Sequence, residues 1–170
     1  TINSRRIKLE YYPVINQDGE IIHFESPVRL QLEAGGKWFC AGEFITWATQ
    51  LGLMAKLDEL VFETAVSALN GGAQAIGLNV SASAMCNPAF IEKIVRTLTA
   101  QPQVAEKLYL EIPEQDAFDH LQEFQNFCRK IRGLGCRIGI EHVGTRISRL
   151  GELHDLGLNY IKIDASVIRD

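Results

Sequence analysis

The stretch LYLEIPE, residues 108–114, decides the fold. It is an apolar run of strand length with one carboxylate, Glu111, near its far end and a second, Glu114, just beyond. A strand this apolar fits a sheet covered on both faces. Working outward, the same design returns three times. AIGLNVS (75–81) ends on Asn79, CRIGIEHVG (136–144) on Glu141 and His142, and LNYIKIDAS (158–166) on Lys162 and Asp164. Helical segments lie between. Pro88 opens one that runs to about Ala100, and an amphipathic one covers Phe118 to Leu134, stopped near Gly133 and Gly135. Upstream, Ala41–Leu51 and Leu53–Leu69 read as helices; Leu57, Leu60, Val61, Thr64, Ala65 and Leu69 share one stripe, and Asn70-Gly71-Gly72 ends it. ISRLGELHDLG (147–157) reads as a last helix.

Before Ala41 the pattern differs. Arg6 to Ile15, with IKLEYYPVI, reads as one strand, and NQDGE (16–20) as a turn around Asp18-Gly19. IIHFESPVRLQLE (21–33) reads as a second strand with Pro27 at an end or bulge, and AGGKW (34–38) as a loop.

Strands alternating with helices predict an α/β fold: a parallel sheet with helices outside. In a β/α barrel the C-terminal strand ends form the face where chemistry sits. Glu25, Asn79, Glu111, Glu141 and Lys162 would share that mouth. The plainer account is that strand ends are polar because they enter loops, and the residues alone leave both accounts open. An eightfold barrel takes about 250 residues, and this chain of 170 supplies about six strands. The expectation is one domain over residues 1–170, a TIM-type barrel incomplete at its C-terminus. The polar opening at Thr1 and the stop at Ile168-Arg169-Asp170 suggest a domain cut from a longer chain.

Composition narrows the function. With 46% hydrophobic residues the chain can bury one proper core. A net charge of −4 without a dense Lys/Arg stripe argues against a DNA or RNA polymer as partner, and leaves room for a small anionic ligand. No apolar run reaches the roughly 18–20 residues of a membrane span, and no signal-peptide pattern is read. Cys40, Cys86, Cys128 and Cys136 form no C-x-x-C pair and sit among apolar neighbours, so they read as reduced core cysteines, consistent with cytoplasm.

In order, the strand-end motifs resemble the EAL domain family, the cyclic-di-GMP phosphodiesterase fold. FESPVRL stands where the family has E-A-L-L-R, placing Glu25, Ser26, Pro27 and Arg29. GLNVSAS resembles V-N-x-S at Asn79, and LYLEIPE resembles L-E-I-T-E at Glu111 and Glu114. IGIEHVGTRISRL stands where the family has D-D-F-G-T-G and then Ser-Ser-Leu, placing Glu141, His142, Gly144 and Thr145. LNYIKIDASVI resembles L-K-I-D-x-S-F-I at Lys162 and Asp164, and AGEFITWATQLGL resembles the family helix P-x-x-F-I-P-x-A-E-x-x-G-L.

The resemblance implies hydrolysis of cyclic di-GMP assisted by two Mg²⁺ or Mn²⁺ ions. Glu25, Asn79 and Glu111 would hold one metal, the residue at Glu141 would bridge both, His142 would stand at the second, and Lys162 would lie near the attacking water. Oxygen donors suit such hard cations. This copy departs from the pattern. Glu141 is a methylene longer than the family's Asp, and catalytic groups need placement within about 0.5 Å. His142 removes an anionic oxygen and favours softer metals. Ser26-Pro27 replaces Ala-Leu, Arg146 a Gly, Val143 a Phe, and Tyr12 a Gln. The expectation is therefore a site without a functional catalytic set, whose family-equivalent catalytic positions are Glu25, Lys162, Glu141 and His142. Its ligand-binding residues would be Glu25, Pro27, Arg29, Asn79, Glu111, Glu141, Lys162 and Asp164. No cofactor is required in that reading; Mg²⁺ or Mn²⁺ at Glu25, Asn79, Glu111 and Glu141 enters only with residual phosphodiesterase activity.

Plainer roles stand beside these. Arg29 could pair with a neighbouring carboxylate such as Glu25, and Lys162 with Glu111 or Glu141. His23, His120 and His154 carry no motif and read as surface or packing residues, and Trp38, Phe39 and Trp47 as core or rim packing. Three functions remain: a cyclic-di-GMP receptor that does not hydrolyse, a weakly active phosphodiesterase, and a protein-interaction module that binds no nucleotide. The Glu-His pair and the Asp-Ala-Ser that follows Lys-Ile resemble the LapD-type branch. That branch implies a cytoplasmic domain of an inner-membrane protein, with homodimerisation or docking to a GGDEF domain as its output.

Overall fold

Strand pairing divides residues 7–40 between two sheets. The computed structural model describes residues 6–168, so the opening at Thr1 and the last two residues lie outside it. The segment expected as one strand is two, β1 (Ile7–Leu9) and β2 (Tyr12–Ile15), and the next is also two, β3 (Ile21–Glu25) and β4 (Val28–Gln31). The breaks face each other across the ribbon: Leu9 pairs with Val28, and Tyr12 with Glu25. Pro27 has no N–H to give a ladder. Its carbonyl accepts the Glu10 N–H at 3.1 Å, while the Ser26 N–H goes to the Gly77 carbonyl at 3.0 Å. The ribbon passes there from one sheet to the other. The stretch expected as a loop ends in β5 (Trp38–Cys40), which pairs with β4 to complete an antiparallel sheet β1-β4-β5.

The second sheet has six strands in the order β2-β3-β6-β7-β8-β9, with β6 (Ile76–Asn79), β7 (Leu108–Pro113), β8 (Arg137–Val143) and β9 (Tyr160–Ile163). β2 is antiparallel to β3, and all other neighbours are parallel. Helices α1 (Ala41–Gln50) and α2 (Met54–Asn70) precede β6. Then come α3 (Ala82–Met85), α4 (Pro88–Ala100) and α5 (Pro102–Ala105) before β7, and α6 (Glu114–Asp119) and α7 (Leu121–Ile131) before β8. The helix expected over 118–134 thus starts earlier and breaks at His120, whose φ of −125° and ψ of 47° are not helical. The expected helix at 147–157 is a 3-10 turn, Ile147–Leu153, shortened around Gly151. A final turn, α8 (Ala165–Ile168), follows β9.

Period-two alternation sorts the strand residues. Ile76 and Leu78, Leu108, Leu110 and Ile112, and Ile138 and Ile140 are buried with Phe62 of α2, Ile94 of α4 and Phe127 of α7 in one core. The opposite set is Gly77, Asn79, Tyr109, Glu111, Gly139 and Glu141, joined by His23 and Glu25 of β3 and Tyr160 and Lys162 of β9. That face is concave. β3 and β9 are four strand spacings apart, about 19 Å on a flat sheet, more than a lysine and a glutamate can bridge. Yet the Lys162 Nζ lies 2.9 Å from a Glu25 oxygen. The sheet is curled into part of a TIM-type barrel and does not close among the described residues.

Of the three aromatics expected as core or rim packing, Trp38 and Trp47 are exposed and Phe39 is half-buried, so none is core; Cys128 and Cys136 are buried and Cys40 and Cys86 half-buried. Among the described residues no helix is long and apolar enough to cross a membrane.

Candidate functional site

Glu111 sits at the centre of the concave face with no exposed surface. It accepts hydrogen bonds from the Tyr160 hydroxyl at 2.7 Å on Oε1 and from the Lys162 ammonium at 2.7 Å on Oε2. The same ammonium reaches Glu25 at 2.9 Å. Burial alone lifts the Glu111 pKa, but His23, Lys162 and Tyr160 together hold it below the ordinary carboxylate value. Burial disfavours the Lys162 charge too, and its two glutamates more than offset that, raising its pKa. The expected Lys162 pairing with Glu111 or Glu141 is therefore with Glu111 and Glu25.

Glu141, next along the mouth, accepts from the Asn79 amide at 2.8 Å. Burial, and then the negative charge of Glu111, push its pKa up to about 7. Its neighbour His142 is mostly exposed, with Nε2 4.0 Å from Glu141 Oε2. A register shift between Ile140 and Val143 marks a bulge, and His142 takes a φ of 55° within it. The bulge turns His142 outward, 68% exposed, with Nδ1 3.1 Å from Asp164 Oδ2. Asp164 also accepts from the Ser166 N–H and hydroxyl, so it belongs to the β9 end and not to the Glu111 cluster.

A cleft of about 520 Å³ opens beside the cluster. Pro27, Asn79, Glu141 and His142 line it together with Ile45 and Met54. Arg29 is not in it. Its guanidinium lies 2.7 Å from Glu10, and not near Glu25, because β4 belongs to the other sheet. Below the cleft Glu114 is buried and fixes the loop after β8. It accepts from the Gly144 and Arg146 N–H groups at 3.1 and 2.9 Å and from the Thr145 hydroxyl at 2.7 Å.

Three site features carried no motif. His23 is buried and stacks on Tyr109 at 4.2 Å and 18°. Its Nε2 lies 3.3 Å from Glu111 Oε1, while neither ring nitrogen is aligned for a hydrogen bond. Tyr160 is the second. Both stand two residues before a motif residue, Glu25 and Lys162, and strand alternation could have put them on the same face. The third is Asp58 of α2, which lines the cleft and accepts from the Ser81 hydroxyl. Burial pushes its pKa from 3.8 up to about 6; Ser81 draws it down and the charge of Asp116 adds to the rise. A raised folded-state pKa means the protonated carboxyl stabilises the fold. That contribution is complete below pH 3.8 and is lost as pH rises through about 6. Asp58→Asn keeps the acceptor without the charge. Its thermal stability relative to wild type is expected to rise between about pH 4 and about pH 7. A difference constant across that range would contradict the assignment.

Glu25, Glu111 and Glu141 each offer an oxygen, and these lie within 4.8 Å of one another, a spacing and charge that would suit one hard ion with Asn79 nearby, although Glu111 already accepts from Tyr160 and Lys162. Among the described residues Glu25, Glu111 and Glu141 are the carboxylates grouped this closely; His142 is mostly exposed, with Nε2 4.0 Å from Glu141 Oε2 and Nδ1 3.1 Å from Asp164 Oδ2.

The chain matches the EAL domain family over residues 1–170. "Probable cyclic di-GMP phosphodiesterase PdeG" of Escherichia coli K12 is 28% identical over 174 residues, which is 98% of this chain and 34% of that protein. Among solved structures, the FimX EAL domain of Pseudomonas aeruginosa bound to c-di-GMP superposes with a TM-score of 0.88 at 24% identity, over 99% of this chain and 70% of that one. The S helix-GGDEF-EAL part of Vibrio cholerae LapD bound to c-di-GMP gives 0.86 at 24%, over 96% and 40%. These two likenesses concern the fold. A curled α/β sheet, its strand-end Glu25, Asn79, Glu111 and Lys162 converging on one face, and a match along the full length lead to one assignment: the chain belongs to the EAL domain family.

Proposed function

We propose that this chain is a cyclic-di-GMP receptor, an EAL domain that binds the dinucleotide and does not hydrolyse it. The observation that carries the reading is the make-up of the Glu141-His142 pair. Glu141 is buried against Asn79, while His142, with Nε2 4.0 Å from Glu141 Oε2, is 68% exposed and offers an imidazole where the family has a carboxylate, a poor seat for a second hard cation. Two-metal hydrolysis uses both ions, one to activate water and one to stabilise the leaving oxygen. With a poor seat for the second ion, binding survives better than turnover. The cleft offers the Asn79 amide to phosphate oxygens and apolar walls at Ile45 and Met54 to a base, and Lys162 stands in the carboxylate cluster, which Glu141 joins to the cleft. Output would follow from different affinities for two domain arrangements, through dimerisation or docking to another domain, in a protein of which this chain is a cytoplasmic part.

A one-ion phosphodiesterase of low rate is the second reading, favoured by the three clustered carboxylates. Chromatography separates the two. The full-length protein is incubated with cyclic di-GMP and Mn²⁺ and sampled for linear dinucleotide. No product is expected from wild type, and a Glu141→Asp/His142→Asp variant is expected to gain turnover. Steady product formation by wild type would establish the second reading instead.

A further inference from the structure

The lone pairs of Glu111 are counted first. A carboxylate oxygen accepts through about two sites. Around Oε1 stand the Tyr160 hydroxyl at 2.7 Å, the Lys162 ammonium at 2.6 Å and the His23 Nε2 at 3.3 Å. Oε2 takes Lys162 again at 2.7 Å. Both ring neighbours are seated directly on glycines. A Cβ on Gly139 would lie 2.4 Å from two Tyr160 ring carbons, so the ring rests on that glycine, with Tyr109 5.8 Å away between centroids. His23 is held in the same way over Gly77, where a Cβ would meet its Cδ2 at 2.9 Å. Two glycines thus admit two rings beneath one carboxylate.

We infer that Glu111 is the fixed counter-ion of Lys162 and not a metal ligand in this protein, so that the Lys162 ammonium supplies the positive charge at the floor of the site. On Oε1 a divalent ion could bind only by displacing Tyr160 or Lys162, and on Oε2 it would share the oxygen with Lys162. Displacement strips the part-buried Tyr160 hydroxyl of its acceptor or half-buried Lys162 of its deepest partner. The ion would also meet the ammonium at close range, where like charges repel strongly in a partly desolvated site. The inference goes beyond the receptor reading, because it concerns metal uptake and holds whether or not a nucleotide binds.

The test is a Mn²⁺ titration of the nucleotide-free full-length protein, followed by the electron paramagnetic resonance of the free ion. Lys162→Met is expected to bind one Mn²⁺ more than wild type, at least about tenfold more tightly than any ion wild type holds at this cluster. The added ion is expected to vanish in Lys162→Met/Glu111→Gln. Equal uptake by wild type and Lys162→Met overturns the inference, whether both hold the ion or neither does. If Lys162→Met does not fold, Tyr160→Phe decides, since it frees one acceptor site on Oε1 and keeps the ring on Gly139. A rise in Mn²⁺ affinity of about threefold or more supports the inference, and no change overturns it. Nucleotide enters no arm of the titration, so failure to bind cyclic di-GMP, which ends the receptor reading, leaves this result untouched.

Discussion

Replacing Glu111 by leucine is expected to lower the unfolding free energy by about 3–5 kcal/mol, the cost of removing one member of a buried ion pair. Glu111 is wholly buried, and three neighbours depend on it. Lys162 keeps Glu25, the Tyr160 hydroxyl loses its acceptor, and His23 loses a charge beside it. Urea denaturation measures the loss from the midpoint at unchanged slope. The diagnostic is the second substitution. Glu111→Leu/Lys162→Met removes both charges, and well-packed apolar replacements of ion pairs are often neutral. The double variant is therefore expected to be more stable than Glu111→Leu alone. A single-variant loss under about 1 kcal/mol, the range of exposed pairs, would mean that the ammonium and carboxylate are solvated and uncoupled.

Gly139→Ala is expected to cost about 1–3 kcal/mol, in the range of core overpacking. The reason is one contact: the new methyl would lie 2.4 Å from Cε2 and Cζ of Tyr160. The ring must shift, and its hydroxyl leaves Glu111 as it does. Main-chain strain plays no part, since Gly139 is not among the residues at positive φ. If the ring is the obstacle, removing it removes the penalty. Gly139→Ala introduced into Tyr160→Ala is expected to cost much less than in wild type, a coupling read from the double-mutant cycle. The same loss in both backgrounds would show that the methyl meets something else.

The parts of this protein that were legible in the sequence share a cause. LYLEIPE, AIGLNVS and CRIGIEHVG are nearly all apolar because helices cover their outer faces, so their lengths and ends could be read directly. The convergence of Glu25, Asn79, Glu111 and Lys162 followed from barrel geometry and the EAL resemblance together. What escaped depends on contacts between distant residues. The ribbon split at Ser26-Pro27 is set by Gly77, fifty residues on, and the partner of Arg29 by the assignment of β4 to a different sheet from β3. His142 turns outward through a bulge that alternation alone cannot foresee. Tyr160 and His23 were hidden for a different reason: aromatic residues in apolar strands read as packing, and only the glycines opposite give them their place. Short turns such as α3 and α5 are below the length at which periodicity speaks.

In the proposed receptor, Lys162 and Asn79 from separate strands of the concave face bind a cyclic dinucleotide that the domain does not cut. Calorimetric titration of cyclic di-GMP into the full-length protein tests this binding most directly, with Lys162→Ala and Asn79→Ala alongside. Saturable binding is expected in wild type, weakened about tenfold or more in Lys162→Ala through loss of a charge-assisted contact to phosphate, and less in Asn79→Ala. Absence of binding heat in wild type, or equal affinity in all three proteins, would contradict it.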